Sequence, residues 1–530
     1  MNEISASMAT LDWVIVIGYM LGIIALGLYA SRGQEDAKDY FLASRSSTWP
    51  TIGLALIGSN ISATTLIGLA GAAYSIGISV FNYEWMASII LAVYCIFFLP
   101  AVLRSQVYTM PEFLERRFSP SIRLYFSGLT IFLNIVVDTA ATLFGGALLF
   151  KLLFPGMELW QIAAILALAA GIYTALGGLK AVMVTEVVQT ILLLGASVFI
   201  AYFAFDKAGG WSNVMANVAP EKLSLIRPND DPGVPWLGLF TGVPLLGFYF
   251  WCTNQFMAQR VMSAKTLNHG RWGSLFAGLL KLPILFLMVL PGTAAILIYP
   301  NLPNGDLVYP KLIFDLLPAG IVGIVIAGFL AAIMSSIAST FNSASTLVTM
   351  DFARKFAPNL SQEGLVRIGR ITTLVLMVLS IAWIPMIEKH AGSLWQYIQA
   401  VLAYAVPPIV ALFVLGLFWR RANAAGAKTG LIVGTLTGIY LFVSVAVNKS
   451  LEIHFLTSAA LIFVVALVAT VAGSMLAPAP VLAQVEALMW RKVDYDVETI
   501  ELAARPLWQN YRIQALALLV ITAILVWWWR

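Results

Sequence analysis

The chain has 530 residues, of which 60% are hydrophobic and only 11% charged. This composition excludes a soluble domain and indicates an integral membrane protein. The net charge of +5 is explained by loops on one side of the membrane, as described below, so we do not predict nucleic-acid binding.

About fourteen apolar segments follow one another along the chain, and they predict an all-α membrane protein. They cover residues 11–31, 50–76, 80–104, 122–154, 158–177, 181–205, 235–259, 271–299, 311–350, 366–387, 393–419, 427–447, 451–477 and 512–529. The first segment follows a short acidic tail without basic residues, so we interpret it as a retained helix rather than a signal peptide.

The Lys and Arg residues are distributed unequally between the two sides of these segments. With the N-terminus outside, 22 of the 31 fall in loops assigned to the cytoplasm, Arg104, Arg260 and Arg271 among them. Eight fall outside, and Lys281 lies within a helix. This bias predicts a topology with both termini outside and an even number of helices.

The second segment is interrupted at its centre by Gly58-Ser59-Asn60-Ile61-Ser62. Such residues compete with helical hydrogen bonding, and a broken helix at membrane depth is tolerated only where it lines a protein-enclosed or wet cavity. In secondary transporters, solute and coupling ion bind at such breaks. The alternative is a small-residue face for helix packing. Asn254-Gln255, preceded by Gly242, Pro244 and Gly247, predicts a second broken helix in 235–259.

Four ionisable residues stand out within the apolar segments. Lys281 lies ten residues after Arg271, or roughly 15 Å along a helix, which favours a function near the midplane over snorkelling. Glu84 begins its segment and could lie at the interface or face inward. Glu186 lies near the cytoplasmic end of its helix, where solvation is easy, and Asp138 is deeper and has no partner that the sequence identifies.

Two pairs of neutral polar residues are also candidates. Gln396 and Gln399 are spaced to share one helix face and could bind a neighbouring helix or a ligand. The Ser335 and Ser336 hydroxyls could bond back to their own helix. Together with carbonyls of a broken helix, they would also suit a hard monovalent cation.

Several short motifs, each weak alone, occur in order along some 400 residues. They are Asp39-Tyr40-Phe41-Leu42-Ala43, Ser59-Asn60-Ile61-Ser62-Ala63, Tyr74-Ser75-Ile76-Gly77, Tyr83-Glu84-Trp85-Met86, Tyr108-Thr109-Met110-Pro111-Glu112-Phe113-Leu114, Gly177-Gly178-Leu179, 331–339 and Gly416-Leu417-Phe418-Trp419. From about Asp12 to Trp419 the chain closely resembles the solute:sodium symporters, and within them the sodium/glucose cotransporters and the bacterial sodium/galactose symporter.

The resemblance implies a leucine-transporter-type fold with two inverted repeats of five helices. Residues 1–31 would form an extra N-terminal helix, 50–205 the first repeat, 235–419 the second, and 427–530 the C-terminal helices. Segment 50–76 would be core helix one and segment 235–259 core helix six.

The resemblance also implies a sodium site. Its ligands would be Gly58 and Ile61 of the first broken helix with Ala332, Ser335 and Ser336 of core helix eight. Glu186 stands where the family usually has Asp and would assist as an accessory group. Ala338 replaces a hydroxyl that some relatives use for a second sodium ion whereas Ser339 retains another, so we favour one sodium ion per cycle.

For the solute, the resemblance implies a sugar site and two gates. Hydroxyl-binding residues would be Asn60, Glu84, Lys281 and Gln399, with Trp251 as aromatic platform. Tyr249 and Phe250 would contribute to the inner gate, and Leu69, Tyr83 and Trp395 to the outer gate. Thr65, Ala87 and Gly247 stand where the galactose symporter has Gln, Ser and Asn, and Phe250 where Tyr is usual, so the solute could differ from galactose.

We therefore predict a sodium-coupled symporter in the plasma (inner) membrane that imports a hexose-like sugar by alternating access. Alternatives are another small solute (inositol or another polyol, proline, a carboxylate) and, more remotely, a sodium-dependent channel or sensor. The expected partners are the sugar, Na⁺ and the lipid bilayer. Because no nucleophile–base group, metal-ligand spacing or Walker A loop occurs, neither an enzyme, a cofactor nor ATP use is predicted. The oligomeric state is not predicted.

Overall fold

The computed structural model describes residues 7–31, 37–390 and 393–530. Arg32, counted above among the loop charges, lies outside these ranges. The main helices are α1 (Thr10–Ala30), α2 (Trp49–Asn60), α3 (Ala63–Ile76), α4 (Ile78–Ser105), α5 (Pro120–Lys151), α6 (Leu159–Gly171), α7 (Gly178–Lys207), α8 (Trp236–Thr253), α9 (Gln255–Met262), α10 (Leu267–Ile298), α11 (Ile321–Phe356), α12 (Gln362–Lys389), α13 (Leu394–Ala405), α14 (Pro407–Phe418), α15 (Ala424–Val447), α16 (Phe455–Met475), α17 (Lys492–Ala503) and α18 (Tyr511–Trp528).

The membrane-spanning helices agree with the apolar segments. Within the described residues, 11 helices are long and apolar enough to span, or up to 13 when each of two bent pairs is one span. The shorter apolar helix α6 corresponds to the one remaining predicted segment, 158–177. The all-α prediction is confirmed. Short helices connect the spans: Ala37–Leu42, Met110–Arg117, Trp211–Asn217, Val308–Leu316 and Leu482–Val485.

The first predicted break lies between α2 and α3, which are bent by 63°. Ile61 and Ser62 have extended backbone, with ψ of 105° and 179°. The Thr65 hydroxyl stabilises this break, since it donates to the Asn60 carbonyl (3.1 Å) and accepts from the Ser62 N–H (3.2 Å). A side-chain hydroxyl thus replaces part of the helical ladder that the break removes.

The second predicted break separates α8 from α9 at Asn254, whose ψ is 131°. The Asn254 side chain caps α9 by accepting from the Phe256 N–H (3.2 Å). Gln255 connects the break to the start of the short helix Met110–Arg117, because its side-chain carbonyl accepts from the Met110 N–H (2.8 Å) and its amide donates to the Tyr108 carbonyl (3.2 Å).

Two predicted segments differ from the structure at prolines. Segment 393–419 is divided into α13 and α14, bent by 52° at Pro407 and Pro408, because proline has no N–H to continue the helical hydrogen bonds and its ring collides with the preceding turn. The predicted segment 311–350 begins before the observed span, because α11 starts at Ile321. Pro318 and Gly320, whose φ is +87°, separate α11 from the short helix before it.

The core is organised around α11, which has the largest buried share of the candidate spans. Helices α7, α2 and α5 pack against it, and α1 lies against α7 and α11 from outside. Close approach of α2 and α7 requires Gly58, because a Cβ there would collide with the Thr190 hydroxyl. Helices α15 and α16 pack mainly on each other and on α8 and α14.

Candidate functional site

A cavity of about 110 Å³ lies at the centre of the molecule, between the two broken helices and α4, α5, α10, α11 and α13. This is room for a small solute. The predicted site residues that line it are Asn60, Thr65, Tyr83, Glu84, Asp138, Gly247, Phe250, Trp251, Lys281, Ser336, Trp395 and Gln399. The structure thus brings together residues more than 300 positions apart in the chain.

Three residues predicted for the solute site or its gates are buried but do not line this cavity. Ala87 lies fully buried on α4. Leu69 and Tyr249 pack in the hydrophobic core behind the lining. Gln396 is exposed, so only Gln399 of that pair faces the cavity.

The Lys281 ammonium forms an ion pair with the Glu84 carboxylate at the cavity wall. Only 1% of the lysine side chain is exposed, and its ammonium lies 5.7 Å from the centre of the Trp251 ring. Snorkelling is therefore excluded for Lys281, and Glu84 faces inward. An ion pair in this environment is stable only while both partners are present. Together they offer a neutral set of donors and acceptors.

Two further side chains of the cavity wall contain buried polar atoms that lack a partner in the part of the chain that the structure describes. The Asn60 side-chain carbonyl oxygen and the Trp395 indole N–H are buried without a hydrogen-bond partner among the described residues. Buried polar groups are normally satisfied, so each is available to a bound solute. Asp138 also lines the cavity, and an Asn134 amide oriented to donate reaches its carboxylate over 3.2 Å.

An aromatic contact forms part of the cavity wall. The Tyr83 and Trp395 rings meet edge to face, with centroids 5.7 Å apart and planes at 73°. Trp395 packs closely against the first broken helix at Gly68. Its Cβ lies 3.3 Å from the position that a Cβ would occupy if Gly68 had a side chain. On another wall, Phe250 packs edge to face on Trp251 at 5.4 Å.

A second cluster of oxygen atoms lies beside the cavity, where α11 passes the first break. The Ser335 hydroxyl donates to the Gly58 carbonyl (2.7 Å) and to its own helix at Ala332 (3.1 Å). The Ser336 hydroxyl lies 3.5 Å from the Ile61 carbonyl oxygen. The five residues predicted to bind sodium therefore converge, and their neutral oxygens are the donor type that a hard cation accepts.

Glu186 is fully buried next to this cluster, which corrects the prediction of easy solvation. It forms an ion pair with Arg260, whose Nε lies 3.1 Å from the carboxylate. The Ser59 and Ser339 hydroxyls donate to the same carboxylate, at 2.8 Å and 2.5 Å. Glu186 thereby connects α7 with α9, α11 and the first break.

Arg260 was missed as a site residue because the charge count assigned it to a cytoplasmic loop. It is fully buried within α9. Its position only six residues after Asn254 is the one sequence signal that could have identified it, because a residue so close to a membrane break must lie within the protein.

Broken helices around a buried polar cavity define a membrane transporter rather than an enzyme. The chain belongs to the sodium:solute symporter family, whose model matches residues 40–434. Among similar proteins are sodium/glucose cotransporter 4 of Danio rerio (35% identical, covering 81% of this chain and 71% of the relative) and sodium/myo-inositol cotransporter 2 of Oryctolagus cuniculus (34%, 81% and 69%). The sodium/mannose cotransporter of Bos taurus is 31% identical over 92% of this chain and 90% of its own.

Solved structures agree on the fold. A Na⁺-coupled sialic acid symporter in a substrate-bound outward-open state superposes with a TM-score of 0.79 at 23% identity, covering 89% of this chain and all of that one. The nucleobase-cation-symport-1 transporter Mhp1 gives a TM-score of 0.58 at 14% identity, covering 88% and 96%. The leucine-transporter-type fold is thereby confirmed, whereas the repeat boundaries at 50–205 and 235–419 remain a prediction.

Proposed function

We propose that this protein is a sodium-coupled symporter that imports a neutral, hexose-like sugar by alternating access. The observation that carries the proposal is the Glu84–Lys281 pair in a cavity that also contains the Asn60 and Gln399 side chains. An acid, a base and two amides can together donate to and accept from the hydroxyls around a sugar ring. Trp251 would provide the aromatic surface for the ring face.

The charge of the cavity supports a neutral solute. Glu84 and Lys281 compensate each other, and Asp138 adds a further acidic group with no cationic partner among the described residues. A free carboxylate on the solute would be repelled. The relatives named above are cotransporters of glucose, myo-inositol and mannose, so a cyclic polyol such as inositol is the second candidate. Thr65 and Gly247 would help to decide between them.

Sodium would bind to Gly58, Ile61, Ala332, Ser335 and Ser336, with Glu186 as an accessory charge. One ion per cycle is favoured by two features. Ala338 lacks a hydroxyl, and the Glu186 carboxylate is already compensated by Arg260. A second cation would have to compete with that ion pair.

The coupling of ion and solute would arise within the first break. Ser59 and Ile61 present carbonyls to α11, while the Asn60 side chain lines the cavity. If either sodium or the solute orders this segment on binding, the segment is already ordered when the other binds. Sodium and the solute should therefore raise each other's affinity by the same factor. Tyr83 and Trp395, with Leu69 behind them, would form the outer gate, and Trp251, Tyr249 and Phe250 would contribute to the inner one.

Counterflow into proteoliposomes of the purified protein tests the proposal. Labelled glucose, galactose, mannose, myo-inositol, proline and a monocarboxylate are compared in sodium and in choline buffer. We expect saturable, sodium-dependent uptake of one or more of the sugars or the inositol. Uptake confined to proline or the carboxylate would refute the solute class, and uptake equal in both buffers would refute the coupling. Sodium current without saturable uptake would indicate the channel alternative.

A residue accessibility map of the loops would test the proposed plasma-membrane topology with both termini outside.

A further inference from the structure

The segment between the last two spans contains a helix with an inverted arrangement of polar and apolar residues. In α17 the acidic residues Asp494 and Glu498 face the protein, whereas Val493, Val497 and Ile500 point away from it with exposed fractions of 71%, 52% and 76%. Spaced i, i+4 and i+7, these three occupy an arc of about 60° on the helix. We call Val493, Val497 and Ile500 the apolar stripe.

The face towards the protein is held by ion pairs to the ends of two core helices. Asp494 pairs with Arg104 at the end of α4 (2.6 Å), and Glu498 pairs with Arg271 at the start of α10. Arg271 is itself almost completely buried. The orientation of α17 is therefore determined, and the stripe cannot turn inward without breaking these pairs.

The depth of α17 relative to the bilayer follows from its contact with α18. Arg512, in the first turn of that span, donates to the Thr499 hydroxyl (2.6 Å) and the Tyr495 carbonyl (2.9 Å) and lies 3.6 Å from the Tyr495 ring centre. Helix α17 thus lies beside the end of a span. Leu507 and Trp508, more than two-thirds exposed, follow at the same end, where aromatic residues mark the bilayer interface.

We propose that α17 is an interfacial helix whose apolar stripe lies in the lipid leaflet next to the Lys- and Arg-rich loops, so that it anchors the ends of α4 and α10 to the membrane surface. Association would be driven by apolar burial rather than by attraction to acidic lipid, because the exposed charges flanking the stripe include Asp496 and Glu501. This role does not depend on which solute is carried.

Site-directed spin labelling of the full chain in lipid nanodiscs tests this. Val497→Cys is labelled with a nitroxide, and Asp496→Cys, the adjacent exposed position about 100° round the helix, is the aqueous control. The native Cys95 and Cys252 are buried, so unsubstituted protein serves as the labelling blank. Collision rates with lipid-soluble oxygen and with a water-soluble nickel chelate are measured in neutral phosphatidylcholine and with added phosphatidylglycerol.

We expect the ratio of oxygen to nickel collisions to be several-fold higher at position 497 than at 496 and to be unchanged by the acidic lipid. Equal nickel access at both positions would overturn the proposal. Protection of position 497 from both reagents would also overturn it, because the stripe would then be covered by protein, such as a second copy of the chain.

Discussion

Removing the positive charge of Lys281 should separate the transport role of the ion pair from its structural role. In the Lys281→Met variant, the Glu84 carboxylate would remain buried in the cavity wall beside Trp251 without its partner. Breaking a buried pair in this way costs about 3–5 kcal/mol, because the remaining charge is uncompensated. The single replacement Glu84→Gln leaves the Lys281 ammonium buried without its partner and should lower the free energy of unfolding by a similar amount.

The double variant Glu84→Gln/Lys281→Met removes both charges, so no uncompensated charge remains in the cavity wall. Replacing a buried ion pair by uncharged residues of similar volume is often neutral for stability. We therefore expect the double variant to unfold near the wild-type temperature, and the cycle to give a coupling energy of about 6–10 kcal/mol, the sum of the two single losses. Sugar uptake should be lost in all three variants, since the hydroxyl-binding groups are changed in each.

Thermal unfolding of the purified proteins in detergent and uptake in proteoliposomes measure the two effects separately. Near wild-type uptake by Lys281→Met would refute the role in solute binding. A double variant as unstable as either single variant would refute the electrostatic argument, because packing rather than charge would then explain the loss.

Three further changes test other parts of the site. Ser336→Ala removes one oxygen of the proposed sodium site, so the sodium concentration for half-maximal uptake should rise several-fold. Gln399→Ala should raise the KM for the sugar roughly 5- to 150-fold, since one polar contact contributes about 1–3 kcal/mol, and should leave sodium binding unchanged. Burial raises the pKa of Asp306, in the loop after α10, to about 6, against a hydrogen bond from the Leu394 N–H that lowers it. Because its folded pKa exceeds the unfolded value, wild-type stability should fall as the pH rises from about 4 to about 6, by up to ~3 kcal/mol, and Asp306→Asn should abolish this dependence.

Matched controls come from the same elements. Ser197→Ala removes a buried hydroxyl on α7 that bonds back to its own helix at the Leu193 carbonyl, so the sodium dependence should not change. Gln396→Ala changes an exposed amide on the helix that carries Gln399, and the KM should stay the same. Asp315→Asn should retain the pH dependence, because Asp315 is exposed. A control that reproduces the effect of its partner would contradict the assignment.

The breaks in the helices could be predicted from sequence because their cause is local. Hydroxyl, amide and glycine residues in an apolar run are sufficient to indicate Ile61 and Asn254 as positions where the helix is interrupted. Prolines are also local signals, and the bend at Pro407 could have been predicted from the same rules.

Partners in space could not be predicted in this way. Glu84 and Lys281 are 197 residues apart, and no periodicity connects them. Arg260 shows where a count of charges in loops fails. An arginine near the end of an apolar segment can be paired inside the protein when the helix is broken close to it. Without the fold, its partner Glu186 was assigned to a solvated position.

The first break also has a consequence for how solute preference could change during evolution. Its carbonyl groups are independent of side-chain identity, so substitutions around the cavity would leave the carbonyl ligands of the proposed ion site chemically intact. Thr65 is the exception, because its hydroxyl supports the Asn60 carbonyl as well as lining the cavity. A lineage that altered this residue to accept a new solute would also perturb the backbone beside the ion, and a compensating hydrogen-bond donor would have to accompany the change.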